Sequence, residues 1–247
     1  MKMRNRKKDN LKDFLKIKNS TETTADLYFY GDIVSSWWGA WEDSDQYPDK
    51  VKSFLDEAKG KDLNIYVNSG GGSVFAGMAI YNMLKRHQGH KTVYVDGVAG
   101  SISSVIAFAG DKVVIPSNAY LMVHKPWTWA QGNADELREQ ADILDIIEKG
   151  ILNVYEDNKK ENVDMETIEQ LVKDSTWLTG EEASNYFNIE VSNAIEAVAC
   201  VSDYYQGNIP KDICNYLKTP NKENNEHKIN NNLEIEKQKL LLEIELT

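Results

Sequence analysis

From residue 25 to residue 126 the chain alternates short runs of β-branched and aromatic residues with stretches whose apolar positions recur every three or four residues. "ADLYFYGDIV" (25–34) breaks at Gly31, the pattern of a short strand and turn. Val51, Phe54, Leu55 and Ala58 then recur at helical spacing, predicting a helix over 50–60 that stops at Gly60. A strand over 63–67, a glycine-rich turn over 68–73 and a helix over 74–87 follow. The same order repeats: a strand over 91–97, a second glycine-bearing turn, and a helix over 102–109. "KVVIP" and "AYLMVHKP" read as two more strands. Such alternation predicts a parallel sheet with helices crossing between its strands.

The rhythm changes at Ala134. Leu137, Ala141, Leu144, Ile147, Ile151, Leu152 and Tyr155 form one apolar stripe, so 134–160 is predicted as a single long helix, an element suited to subunit contacts. Two short helices around an irregular link at 174–178 are expected next, and "EVSNAIEAVAC" holds room for a last short strand. Beyond Lys218 the composition turns polar and asparagine-rich. The expected organisation is a flexible basic leader (1–24), a folded domain (25–217), a disordered linker (218–232) and a short amphipathic helical tail (233–247). Trp37, Trp38 and Trp41 lie close together, and side chains of that size most commonly pack in a core or between subunits.

Composition narrows the function classes. With 247 residues, 41% of them hydrophobic, the chain is long enough for one well-buried domain with appendages. A net charge of −11 argues against nucleic acid as the main partner, since phosphate binding needs a cationic footprint. No stretch approaches a membrane span, and the basic start lacks the apolar run of a secretory signal, so a cytoplasmic location is expected. Cys200 and Cys214 are too few for a disulfide framework, and no Cys/His spacing suggests a metal. No metal or cofactor is expected.

The chemistry gathers at the two turns, "NSGGGS" (68–73) and "DGVAGS" (96–101). Glycine permits positive φ and close backbone approach, so both turns can present free amide hydrogens to an anion at a helix start. Neither the P-loop nor the dinucleotide pattern is present, which weakens a phosphate reading. An acyl-transfer reading needs a nucleophile beside the amides and a base within reach. Ser101 supplies the first, and His124, at the end of an apolar strand one strand-and-helix unit later, supplies the second. Ser103 and Ser104 fall inside the predicted helix and read as small residues that permit close packing.

The segments "YGDI", "VNSGGGSVFAGMAIYNML", "GVAGSISSVIAFAGD", "LMVHKPW" and "STWLTGEEA" resemble, in order and spacing, the Clp protease proteolytic subunit family, and within it the phage-encoded head maturation proteases. The resemblance covers residues 27–192. It implies an α/β spiral of β-β-α units, shared with crotonases, with a protruding strand-helix handle. It also implies Ser101 as nucleophile, His124 as base and then acid, and the N–H groups of Gly72 and Ile102 as an oxyanion hole. Gly71, Pro126 and Trp127 would bind a polypeptide substrate, "KPWTWAQGNA" holding its backbone by strand addition. Of the alternating Trp127 and Trp129, one would face substrate and the other pack. The family's acidic third member falls here on Ser175, with Asp174 one position earlier as the candidate to orient His124. Homo-oligomeric rings, and capsid proteins or a Clp-type ATPase as partners, are further implications. A crotonase-type acyl-thioester enzyme and a capsid-assembly partner with a vestigial site are the alternatives.

Overall fold

A computed structural model describes residues 20–42 and 44–193. The chain divides into Met1–Gly207 and Asn208–Thr247, and all described residues belong to the first unit. The leader up to residue 19, both cysteines, the linker and the tail lie outside the described residues.

Strand β1 (Thr24–Phe29) leads through a loop carrying a one-turn 3-10 helix (Trp37–Gly39) to helix α1 (Pro48–Glu57). Then follow β2 (Asp62–Ser69), α2 (Val74–Arg86), β3 (Lys91–Gly100), α3 (Ile102–Ala107), β4 (Lys112–Pro116) and β5 (Tyr120–Val123). The long α4 (Ala134–Asn158), α5 (Met165–Lys173), β6 (Thr176–Thr179), α6 (Gly180–Tyr186) and β7 (Glu190–Ser192) complete the order. Within the described residues the expected helices and sheet strands are present, with one change. The link at 174–178 contains β6, which pairs antiparallel with β5; four residues without clear alternation did not reveal a strand whose partner lies more than fifty positions earlier.

The sheet runs β1-β2-β3-β4-β7, parallel throughout, as the strand-helix alternation predicts. Strand β3 is long enough to serve two neighbours. Its first half pairs with β4 through Thr92–Tyr94, and its second half pairs with β5 through Val98–Gly100. This fork sets the end of β3 beside the end of β5.

Period-2 patterning assigns the faces. Leu27, Phe29, Leu63, Ile65, Val67, Val93 and Val95 point into the core, where Ile80 and Leu84 of α2 and Val105 and Ile106 of α3 cover them. The opposite face carries Tyr28, Tyr66 and Tyr94, stacked in a row across three strands with ring centroids 4.7 and 5.4 Å apart. Helices α2 and α3 approach closely because Gly77 has no side chain: a Cβ there would overlap the Ile102 side chain.

Helix α4 starts with a capping box, Asn133 accepting from the Asp135 and Glu136 amides while the Glu136 carboxylate accepts from the Asn133 amide. Its last turns are anchored by Ile151, Val154 and Tyr155, all buried, whereas every residue from Trp127 to Ile143 is exposed. Burial in this chain's own core is one of the two uses expected of the tryptophan cluster. Trp37, Trp38 and Trp41 are 57%, 77% and 92% exposed, so none belongs to this chain's core. Trp37 and Trp38 instead stack on each other, centroids 3.8 Å apart, on a loop held by side-chain and backbone bonds to Asp45 and Gln46.

Candidate active site

The fork in β3 explains how residues distant in sequence meet. Gly100 is paired with Met122, and the Ser101 amide continues the ladder by donating to the Met122 carbonyl at 2.9 Å. His124 stands two residues past Met122, where its Nε2 lies 2.7 Å from Ser101 Oγ. The imidazole can accept the hydroxyl proton there only if the neutral ring carries its own proton on Nδ1.

Ser101 occupies a sharp strand-to-helix turn at φ 54°, ψ −128°, one of two non-glycine residues with positive φ among those described. A side chain in that region is strained, and here the strain lifts the hydroxyl out of the strand toward His124. The glycine turn after β2 shapes the other wall. Gly71, at φ 106°, lies so close that a Cβ on it would sit 2.7 Å from the Ser101 Cβ. Gly72, at φ 148°, has no space for a Cβ against the Ile33 carbonyl.

The amide inventory separates the two glycines. Gly71 N–H donates to Ser69 Oγ at 3.2 Å, while its carbonyl accepts from Ile33 N–H at 2.8 Å and the Ile33 carbonyl accepts from Ser73 N–H at 2.7 Å. The same bracing skips the N–H of Gly72. Ile102 opens α3, whose first amides have no intrahelical acceptor. Both expected oxyanion donors therefore lack a hydrogen-bond partner among the described residues; Ile102 follows Ser101 directly, and Gly72 follows Gly71, which packs against Ser101.

Hydrogen bonds fix this wall from behind. Ser103 Oγ donates to Ser69 Oγ at 2.8 Å, and Ser69 Oγ donates to the Gly31 carbonyl at 2.6 Å. Ser104 Oγ donates to the Ser101 carbonyl and meets the Tyr155 hydroxyl at 2.8 Å. Ser103 and Ser104 thus do more than permit close packing. They tie both glycine turns and α4 to Ser101, which residue type alone did not disclose; two hydroxyls in an otherwise apolar helix were the available signal.

Burial holds the His124 pKa below its ordinary value, with no ion pair among the described residues to oppose the effect. A depressed pKa keeps the ring neutral, and able to accept a proton, down to more acidic pH than a free histidine. The acid limb of a pH–kcat/KM profile should accordingly fall below pH 6.5, the ordinary histidine value. A limb above that value would show that another group controls the rate.

The remaining expected site residues divide. Pro126 is half-buried beside the pair and lines the cavity next to Ser101. Trp127 and Trp129 are 43% and 88% exposed, so Trp129 does not pack into this chain; residues 124–133 belong to no helix or strand, and every one from Trp127 onward is exposed. Asp174 is not joined to His124. It ends α5, and its Oδ2 accepts from Gln170 Nε2 at 2.8 Å, one helical turn back. Ser175 is the closer residue by topology. The β5–β6 register ends with Val123 paired to Thr176, and His124 and Ser175 are the residues just beyond that last pair.

Comparison with known proteins agrees with this architecture. The family model described as Clp protease matches residues 47–190, more than half of the chain. The chain belongs to the Clp protease family. It is 34% identical over 137 residues to the ATP-dependent Clp protease proteolytic subunit of Ligilactobacillus salivarius, a match covering 54% of this chain and 68% of that protein. The subunit from Bacteroides fragilis is 31% identical over 137 residues (53% and 63%), and that from Porphyromonas gingivalis is 33% identical over 144 residues (56% and 62%). The chain therefore spans roughly three fifths to two thirds of the Clp relatives it matches. The Clp match takes in both glycine turns, Ser101, His124 and β6. Among the described residues no helix is long and apolar enough to cross a membrane.

Proposed function

We propose that this protein is a serine peptidase that hydrolyses peptide bonds with Ser101 as nucleophile and His124 as general base and then acid. The 2.7 Å contact between Ser101 Oγ and His124 Nε2 carries the reading. In the first half-reaction His124 Nε2 takes the hydroxyl proton as Oγ attacks the scissile carbonyl, and the N–H groups of Gly72 and Ile102 receive the negative charge on its oxygen. The proton then passes from Nε2 to the leaving amine, and a water molecule completes the cycle by the reverse steps on the acyl-enzyme. One fixed donor of this kind is worth about 3 kcal/mol of transition-state stabilisation.

Asp174 stays outside this scheme, because its carboxylate is engaged with Gln170. The pair acts as a dyad. The segment from Pro126 and Trp127 onward, with Gly71 across the site, supports binding of an extended polypeptide by backbone pairing. Leu137, Ile143 and Ile146, exposed at 43%, 39% and 66% along α4, support assembly of several copies into a ring around such sites. Action inside a phage capsid precursor is the narrower role suggested by the motif resemblance. The Ser–His geometry does not favour the crotonase alternative, whose chemistry has no use for that pair.

A fluorophosphonate probe tests the central claim. It should attach covalently at Ser101, with peptide mapping locating the adduct, and replacement of His124 by alanine should slow the labelling by orders of magnitude. No adduct, or one on another serine, removes the nucleophile from the scheme.

A further inference from the structure

The Ser101 carbonyl is held from two directions. It accepts from the Ser104 N–H at 3.0 Å and from Ser104 Oγ at 2.5 Å. Ser104 has one hydroxyl proton and uses it there, so in its 2.8 Å contact with Tyr155 the phenol is the donor. Burial pushes the Tyr155 phenol well above its ordinary pKa, and it keeps that proton throughout the neutral range. Donation therefore runs from Tyr155 to Ser104 to the Ser101 carbonyl. The far end of this relay is fixed: Tyr155 is 1% exposed, meets Phe108 edge-on with centroids 6.0 Å apart, and lies 5.8 Å from the Phe187 ring.

The relay fixes a plane. The carbonyl of Ser101 and the N–H of Ile102 belong to one planar peptide and point in opposite directions, so holding the oxygen also aims the hydrogen. That plane needs holding. Ser101 stands at φ 54°, ψ −128°, a costly combination for a residue with a side chain, and rotation of this same peptide would relieve the strain. The Ser104 amide by itself is a first-turn bond of a six-residue helix, too short to be stiff alone. The peptide between Gly71 and Gly72 is held in the same way, its carbonyl accepting from Ile33 N–H at 2.8 Å while its N–H is the other oxyanion donor. Backbone provides the anchor there; at Ser101 two side chains do.

We propose that Ser104 and Tyr155 are positioning residues of the oxyanion hole, a hydrogen-bonded relay that holds the Ser101–Ile102 peptide with its N–H aimed at the oxygen of the tetrahedral intermediate. The proposal rests on the peptidase reading and adds two residues that act through the Ile102 amide. A serine bonded back to the carbonyl three residues earlier is common in helices. The buried tyrosine behind this one and the strained residue in front of it set it apart. Hydrogen bonds in series also strengthen one another, and a peptide polarised at its oxygen is a better donor at its N–H.

Threonine and valine match in shape and differ in the hydroxyl, so Ser104→Thr and Ser104→Val share any cost of the added methyl group. With fluorescently labelled casein as substrate, the valine variant should show a kcat about ten- to a hundredfold below the threonine variant at similar KM, part of what losing a whole oxyanion donor costs. Inhibition by a peptide boronate, whose tetrahedral adduct on Ser101 puts an oxygen where that charge forms, should weaken by the same factor. Tyr155→Phe keeps the ring and the Ser104 bond to the carbonyl, and should lower kcat by a few-fold. A role in packing alone would lower the thermal midpoints and leave kcat and boronate affinity of the folded variants unchanged. Equal kcat and equal boronate affinity in the valine and threonine variants overturn the proposal. If neither folds, Tyr155→Phe decides: parallel losses in kcat and boronate affinity support the relay, and unchanged values overturn it. Fluorophosphonate labelling of the unaltered protein separates the two claims. Absence of both labelling and cleavage defeats the peptidase reading, whereas an active protein indifferent to the hydroxyl at position 104 defeats only the positioning. In a protein that labels but leaves casein intact, the labelling rates of the variants make the same comparison.

Discussion

Alanine at position 101 should reduce kcat/KM by at least about 10⁴-fold, alanine at position 124 by a similar factor, and the double replacement by no more than either alone. Residues that act as one unit give non-additive losses of this kind, because once the nucleophile is gone there is no proton for the base to remove. The single 2.7 Å contact between Oγ and Nε2 is what makes them a unit here. What survives should be the background supplied by the oxyanion donors and by substrate positioning. Cleavage of an unfolded protein, or of a capsid precursor, followed beside thermal unfolding of each variant, checks the expectation. Losses that simply multiplied, or a Ser101→Ala protein that still cut its substrate, would mean that the two side chains work independently or not at all.

The sheet and the pairing of Ser101 with His124 were legible for the same reason. Alternating strand and helix patterns force parallel pairing, and parallel pairing gathers strand ends at one edge. A glycine-rich turn followed by an apolar helix marks such an end twice in the sequence, at 68–73 and 96–101. His124 stood out because it closes an apolar strand, and the register of Gly100 with Met122 delivers it. Features set by distant pairing stayed hidden. Strand β6 is four residues long and has meaning only beside β5. The bonds from Ser103 to Ser69 and from Ser104 to Tyr155 join residues 34 and 51 positions apart, and no local pattern announces them. Size predicts burial on average, and the exposure of Trp37, Trp38 and Trp41 excludes this chain's own core, one of the two uses expected of them.

Asp174 shows where spacing alone ran out. Sequence placed a carboxylate one position from where an orienting group is wanted, and one position is enough to turn it away: residue 174 still belongs to the end of α5, while residue 175 begins the approach to β6. The left-handed conformation of Ser175, φ 54°, is the joint between them. The exposed carboxylate finds its partner within its own helix, at Gln170.

Moving that carboxylate one residue should therefore create what the dyad lacks. In Ser175→Asp the new carboxylate is carried by the residue just beyond the last β5–β6 pair, as His124 is on the other strand, within a backbone conformation that aspartate tolerates better than most residues. Position 175 is exposed, so the charge loses little hydration on folding. A carboxylate there accepts the Nδ1 proton of His124, fixes the tautomer that Nε2 needs, and stabilises the imidazolium formed when Ser101 is deprotonated. The gain expected in kcat/KM is about tenfold, well short of the 10⁴-fold cost of replacing such a carboxylate in a fully evolved triad, because solvent screens an exposed charge. The pH profile supplies an independent sign. Burial alone lowers the His124 pKa, and a neighbouring negative charge raises it, so the acid limb should move to higher pH even as the plateau rises. Ser175→Asn, equal in size but uncharged, should show neither change, and Asp174→Ala should alter the rate by no more than a few-fold. If Asn matches Asp, the benefit is shape and not charge; if Asp174→Ala is as damaging as loss of His124, the orienting group was Asp174 after all, reached by a rearrangement of the turn at Ser175.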